Sequence, residues 1–122
     1  MPRLRKRKKK KFKKMKKIFV DIDETICYYE GKRDYSLALP ILKRIEKINK
    51  LFNEGNEITY WTARGSVTGL DWYKTTEGQL KEWGCKYHNL SVGEKPHFDL
   101  YICDKSINSN SFFNDKIKKE KK

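Results

Sequence analysis

Two carboxylates, Asp21 and Asp23, stand two residues apart directly after the apolar run Ile18-Phe19-Val20. In extended backbone such residues face the same way, so the pair crowds two anions onto one spot. That crowding asks for a cation or a shared proton. A hard, oxygen-rich site suits magnesium, which keeps several waters and takes a few carboxylates. Two later runs also end in oxygen-bearing side chains: Ile58-Thr59-Tyr60-Trp61 leads into Thr62, and Asp99-Leu100-Tyr101-Ile102-Cys103 leads into Asp104. Lys95 lies between them in a polar loop, and Arg64 follows Thr62 closely. The planar fork of Arg64 suits a second anionic part of a substrate, with capping of its own loop as the plainer reading.

These residues need elements to carry them. Lys17 to Ile22 is short, apolar and β-branched, which predicts a buried central strand. A polar, tyrosine-bearing loop follows from Tyr28 to Ser36. From Leu37 to Asn53, Leu37, Ile41, Leu42, Ile45, Ile48, Leu51 and Phe52 recur at helical spacing, with Lys43, Arg44, Glu46, Lys47 and Asn49 on the opposite face. Pro40 suits the start of that helix and Gly55 its end. Ile58 to Trp61 predicts a second strand, Asp71 to Trp83 a second helix stopped by Gly84, Lys86 to Leu90 a weak strand, and Asp99 to Cys103 a further buried strand. On the second helix, Trp72, Tyr73, Thr76, Leu80 and Trp83 share helical spacing, which favours core packing over base stacking. Strands alternating with helices predict an α/β domain, a parallel sheet with helices on its faces. Such sheets bind ligands beyond the carboxyl ends of their strands, where Asp21, Asp23, Thr62 and Asp104 would converge.

Taken in order, these residues are recognisable. Asp21-Ile22-Asp23-Glu24-Thr25 at the end of an apolar strand resembles the first signature of the haloacid dehalogenase superfamily. Thr62 is similar to the second signature, Lys95 to the third, and Asp104 to the fourth, so the resemblance spans about Lys17 to Asn108. Trp61-Thr62-Ala63-Arg64-Gly65 and the stretch from Gly93 to Ile102 resemble more narrowly the small capless phosphatases of capsule and lipopolysaccharide sugar biosynthesis. The resemblance implies a three-layer α/β/α, Rossmann-like core and a two-step phosphoryl transfer. Asp21 would be the nucleophile and Asp23 the general acid and base. Thr62 would bind the phosphoryl oxygens, and Lys95 would offset their charge. The implied cofactor is Mg2+, held by Asp21, by the main-chain carbonyl of Asp23, and by Asp104. One departure stands out: the family pattern usually has two acids where this chain has Cys103-Asp104. The second acid, the one that more often meets the metal, is retained, and a soft thiol does not replace the first as a magnesium ligand.

Neither the interval from Thr25 to Leu37 nor that from Thr62 to Lys95 has room for a cap domain. The site should be open, closed by the Tyr28–Tyr35 loop or by a neighbouring subunit in a homo-oligomer. An open site suits phosphate on a bulky molecule, and a phosphorylated metabolite such as a sugar phosphate is the leading substrate.

The chain has 122 residues and a net charge of +13. Twelve Lys or Arg and no acid fall between Met1 and Lys17, whereas the remainder, with seventeen basic and sixteen acidic residues, is nearly neutral. The expected organisation is a basic disordered tail over 1–16, a domain over 17–113 and a charged tail over 114–122. Residues 3–17 suit a nucleic acid or another polyanion; a solvated extension, or translation starting at Met15, is the bland alternative. A nucleic-acid end phosphatase and a non-catalytic binding module therefore stand as rival readings. There is no secretory signal and no run long enough to span a membrane. Three cysteines without zinc-ligand spacing point to a reducing cytoplasm, or a nucleus if the tail is an import signal. His88 and His97 lack nucleophile partners and suit surface or turn positions.

Overall fold

The computed structural model describes residues 15–96, 99–100 and 102–115. The expected tail over 1–14, His97, and the C-terminal stretch from residue 116 lie outside the described residues.

The first strand, β1 (Lys17–Asp21), runs parallel to β4 (Glu57–Thr62), which runs parallel to β5 (Asn89–Val92). The sheet order is β1-β4-β5, with β4 in the middle. Helix α1 (Leu42–Asn53) connects β1 to β4, and α2 (Tyr73–Glu82) connects β4 to β5. Between β1 and α1, a small antiparallel pair forms from β2 (Cys27–Tyr28) and β3 (Leu39–Pro40), with a 3-10 turn at Tyr35–Leu37. A short helix, α3 (Ser109–Phe113), follows near the end of the described residues. The α/β architecture with a parallel sheet matches the sequence pattern. No helix among the described residues is long and apolar enough to cross a membrane.

The register pairs Ile18 with Ile58 and Val20 with Tyr60, which puts these four on one face of the sheet. Val20, Ile58 and Tyr60 join Ile45 and Ile48 of α1 and Leu80 of α2 in one buried cluster. Fully burying such an aliphatic side chain contributes roughly 1.5–3 kcal/mol, so this face holds the domain together. The other face carries Phe19, 57% exposed, edge to face with Trp61 at 5.1 Å. Helices α1 and α2 thus lie in one layer on the same face of the sheet, where the three-layer expectation placed helices on both faces.

That single layer accounts for a second difference. Asp99, Leu100, Ile102 and Cys103 carry no strand assignment, and Leu100 and Ile102 are 75% and 87% exposed. A parallel strand is stable when both its faces are covered, and the described residues offer this span no such cover. The weak strand expected near Lys86 is instead well formed three residues later, over Asn89–Val92.

The first helix is shorter than its apolar pattern. Leu37 belongs to the 3-10 turn and Pro40 pairs with Cys27 in β3, so α1 starts at Leu42, itself 59% exposed. Gly55 adopts φ +101 just after the helix and Asn56 N–H donates to the Leu51 carbonyl, a left-handed stop that glycine makes without steric cost.

Arg44, expected on the solvent face, is only 1% exposed. It donates to the Thr25 carbonyl at 3.0 Å, to Asn110 Oδ1 at 2.8 Å and to the Asp115 carboxylate. Its guanidinium also lies over the Phe113 ring at 4.6 Å. A buried charge requires this many partners. Arg44 thus ties α1 to the stretch ending at Asp115.

Candidate active site

The chain turns sharply where β1 ends. Ile22 is fully buried, and its carbonyl accepts from both Thr25 N–H and Ile26 N–H, at 3.2 and 3.0 Å. Glu24 takes φ +64, uncommon for a residue with a side chain, and its N–H donates back to the Cys27 carbonyl at 3.0 Å. This turn separates the fates of the two acids.

Asp21 stays open. Its side chain is 43% exposed, with Lys95 Nζ 4.0 Å from Oδ1. Lys95 also sits over the Trp61 ring at 5.5 Å. Partial burial raises the Asp21 carboxyl above its ordinary 3.8; nearby Asp23 adds to the rise and Lys95 opposes it.

Asp23 is enclosed, its side chain 12% exposed. Oδ1 accepts from the Tyr29 hydroxyl at 2.5 Å, from Arg64 Nη2 at 2.8 Å and from the Cys27 thiol at 3.5 Å. Oδ2 accepts from Arg64 Nε at 3.1 Å and from Thr62 Oγ1 at 3.2 Å. Burial alone would raise this carboxyl, but the hydrogen bonds and charge of Arg64, with the Tyr29 hydroxyl, outweigh it and hold Asp23 below the usual carboxylate range. The same burial and the Asp23 charge push the Cys27 thiol and the Tyr29 phenol well up, so both keep their protons.

Arg64 is the hub. It is 1% exposed and donates through Nη1 to Thr76 Oγ1 at 2.9 Å and to Gln79 Oε1 at 2.7 Å. Its guanidinium packs over the Tyr35 ring at 4.9 Å. The loop that aims it depends on Gly65, at φ +83, where a Cβ would fall 2.1 Å from the Leu70 carbonyl oxygen. Only glycine fits there.

Comparison with known proteins adds a likeness in fold. The chain is similar to a crystal structure of a structural-genomics target from Vibrio cholerae, with 28% identity and a TM-score of 0.71. The match covers 81% of this chain and 88% of that one. No family model matches the chain, and no curated protein matches it significantly.

Set against the residues picked from sequence, the structure brings Asp21 and Lys95 together, and separately gathers Asp23, Thr62 and Arg64. Two expectations change. Arg64 does not present its fork to a substrate, because all of it is buried on Asp23, Tyr29, Thr76 and Gln79. Thr62 is likewise buried, 1% exposed, with its hydroxyl turned to Asp23. Asp104 is exposed, beside a turn where Cys103 Sγ accepts from Lys105 N–H at 3.3 Å. Among the described residues no three His, Cys, Asp or Glu side chains are grouped to hold a metal ion; the expected set has only two carboxylates, of Asp21 and Asp104, beside the Asp23 main-chain carbonyl. The donor chemistry nevertheless fits magnesium at Asp21, since this cation takes a carboxylate or two and fills its shell with water.

Sequence alone marks neither Tyr29 nor Gln79, and it places Thr76 only in the core-packing stripe of the second helix. Gln79 and Thr76 lie three apart on the inner side of α2, and a polar pair on a core-facing stripe was the available signal. Nothing distinguished Tyr29 from its neighbour Tyr28.

Proposed function

We propose that this chain is a magnesium-dependent phosphatase of the haloacid dehalogenase type, in its small capless form, acting on a sugar phosphate or related metabolite. The observation that carries the reading is the division of labour at the end of β1: an exposed carboxylate facing a lysine, next to a second carboxylate held by buried donors. Asp21 is the nucleophile. One of its oxygens bonds to phosphorus as the bond from phosphorus to the ester oxygen breaks, and Asp23 gives that oxygen a proton. In the second step Asp23 takes a proton from water, whose oxygen attacks phosphorus and frees Asp21.

The state of Asp23 described above, ionised against Arg64, is the form the second step needs. For the first step a monoanionic phosphate ester brings a proton, which passes to the ionised Asp23 carboxylate and from there to the leaving oxygen. Lys95 offsets charge on Asp21 and on the incoming phosphoryl oxygens. Magnesium would be held by Asp21 and, on the family resemblance, by the Asp23 carbonyl and Asp104; when bound it neutralises the transferring phosphoryl group.

The test is phosphate release from an aryl phosphate by the purified chain, with magnesium, with excess chelator, and with Asp21→Asn. Magnesium-dependent turnover lost in the variant supports the reading. Equal turnover in the variant removes it.

A second reading is favoured by the twelve basic residues between Met1 and Lys17: the same chemistry on a nucleic-acid end, with the arm supplying salt-sensitive affinity. It predicts activity on terminal phosphates that falls steeply with salt and on removing residues 1–14. A sugar phosphatase would be indifferent to that truncation. A folded chain with no turnover on either substrate class would favour the binding module.

A further inference from the structure

Asp23 has more protein donors than a carboxylate needs to be charge-balanced. Arg64 alone supplies a fork to both oxygens, yet Tyr29 reaches Oδ1 at 2.5 Å and Thr62 reaches Oδ2 at 3.2 Å. The donors are themselves held. Gln79 accepts from Arg64 Nη1 and donates through Nε2 to the Tyr35 carbonyl, both at 2.7 Å. Tyr35 lies on the Arg64 guanidinium and meets Trp72 edge to face at 5.0 Å. A buried polar network in which every member is satisfied fixes one arrangement.

We propose that Tyr29, Arg64 and Gln79 are positioning residues that fix the aim of the Asp23 carboxyl, and that they tie this aim to the Tyr28–Ser36 loop. The inference rests on the phosphatase reading and extends it to three residues with no assigned role. Tyr29 sets the carboxyl from the loop side and Arg64 from beneath. Gln79 joins Arg64 to the loop backbone, so the loop and the acid settle together. None of the three reaches the phosphorus; each acts through Asp23.

Positioning a proton donor has a signature that general loosening lacks. Breaking the bond to an alkyl ester oxygen depends on proton donation, because an alkoxide is a poor leaving group. An aryl phosphate with an acidic phenol leaves without that help. Loss of aim should therefore lower kcat/KM, which reads only the steps up to departure of the alcohol, for the alkyl ester and spare it for the aryl one. The water step, common to both, slows kcat on either.

The experiment compares the full chain with Tyr29→Phe, Arg64→Lys, Gln79→Ala and Gln79→Glu. Each is assayed with p-nitrophenyl phosphate and with glycerol phosphate, beside a thermal melt. Tyr29→Phe, which keeps the ring and its packing, should lower kcat/KM on the alkyl ester about tenfold, a fraction of the 10²–10⁴ that general acid catalysis supplies. On the aryl ester the fall in kcat/KM should be under about threefold. Arg64→Lys keeps the charge but loses the fork and should show the same pattern more strongly. Gln79→Glu keeps an acceptor for Arg64 and should restore most of what Gln79→Ala loses.

Equal losses of kcat/KM on both esters, tracking the melting temperature, would overturn the inference and leave a merely structural network. A rise in turnover on the alkyl ester would overturn it as well, showing that the network restrains Asp23. Wild-type turnover abolished by Asp21→Asn separates these results from failure of the phosphatase reading. A folded wild type that turns over neither ester sinks both.

Discussion

The two ends of the Asp21-Ile22-Asp23 tripeptide differ as sharply as any two regions of the molecule. Asp21 is partly open to solvent with one lysine 4.0 Å away, whereas Asp23 is nearly sealed with five donor contacts. Their carboxyls shift in opposite directions, Asp21 up and Asp23 down. Proximity in sequence is therefore no guide to environment. One tight turn at Glu24 leaves the first acid partly open to solvent and encloses the second among donors. A nucleophile has to be reachable, and an acid or base has to be aimed.

This contrast can be broken most decisively at Asp21. Asp21→Asn should reduce phosphate release by at least about three orders of magnitude, as expected when a covalent nucleophile is removed. It should leave the melting temperature unchanged or slightly higher, because the raised carboxyl is disfavoured as an ion in the folded state. Arg64→Ala should do the reverse in kind. It strands Asp23 in a buried site, and removing one partner of a buried ion pair destabilises by about 3–5 kcal/mol, readable as a lower denaturant midpoint. Arg44→Ala, at the second buried arginine, should cost less, about 1.5–3 kcal/mol, since its partner Asp115 is one-third exposed.

The smallest effects are in pH. For Asp23 and Asp115 the folded carboxyl is depressed, so their contribution is present above the unfolded value near ~4 and is lost as pH falls through the lower folded values. Urea midpoints measured from neutral pH downward should fall in acid, and Asp115→Asn should flatten part of that slope. Asp21 has the opposite sign. In the metal-free chain its carboxyl, followed by NMR titration, should lie above the ordinary 3.8, and Lys95→Met should move it higher still by removing the charge that opposes the rise.

How legible all this was in the sequence depends on the kind of feature. Apolar runs ending at Asp21 and Thr62 announced β1 and β4, because a buried parallel strand needs an unbroken apolar stretch. The Ile45/Ile48 and Thr76/Leu80 spacings announced the helices. The run at Asp99 failed because its composition cannot say whether anything covers the strand. Leu42 and Arg44 exchanged their expected environments because a helical wheel knows nothing of a second segment, here the stretch ending at Asp115, that covers the polar side. At the site, residue types located Asp21, Asp23, Thr62, Arg64 and Lys95. Their partners were hidden: the contacts of Arg64 with Gln79 and of Asp23 with Tyr29 depend on how α2 and the Tyr28–Ser36 loop pack, which no local pattern encodes.

The central claim, that Asp21 carries the phosphoryl group, is tested most directly by trapping the intermediate. The full chain would be mixed with radiolabelled phosphate ester and magnesium, quenched in acid within the first turnover, digested, and its peptides sequenced by mass spectrometry. The account predicts an acid-stable, base-labile acyl phosphate on the peptide bearing Asp21, absent in Asp21→Asn and accumulating if Asp23→Asn slows the water step. Turnover with no label on that peptide, or label on another residue, would contradict it.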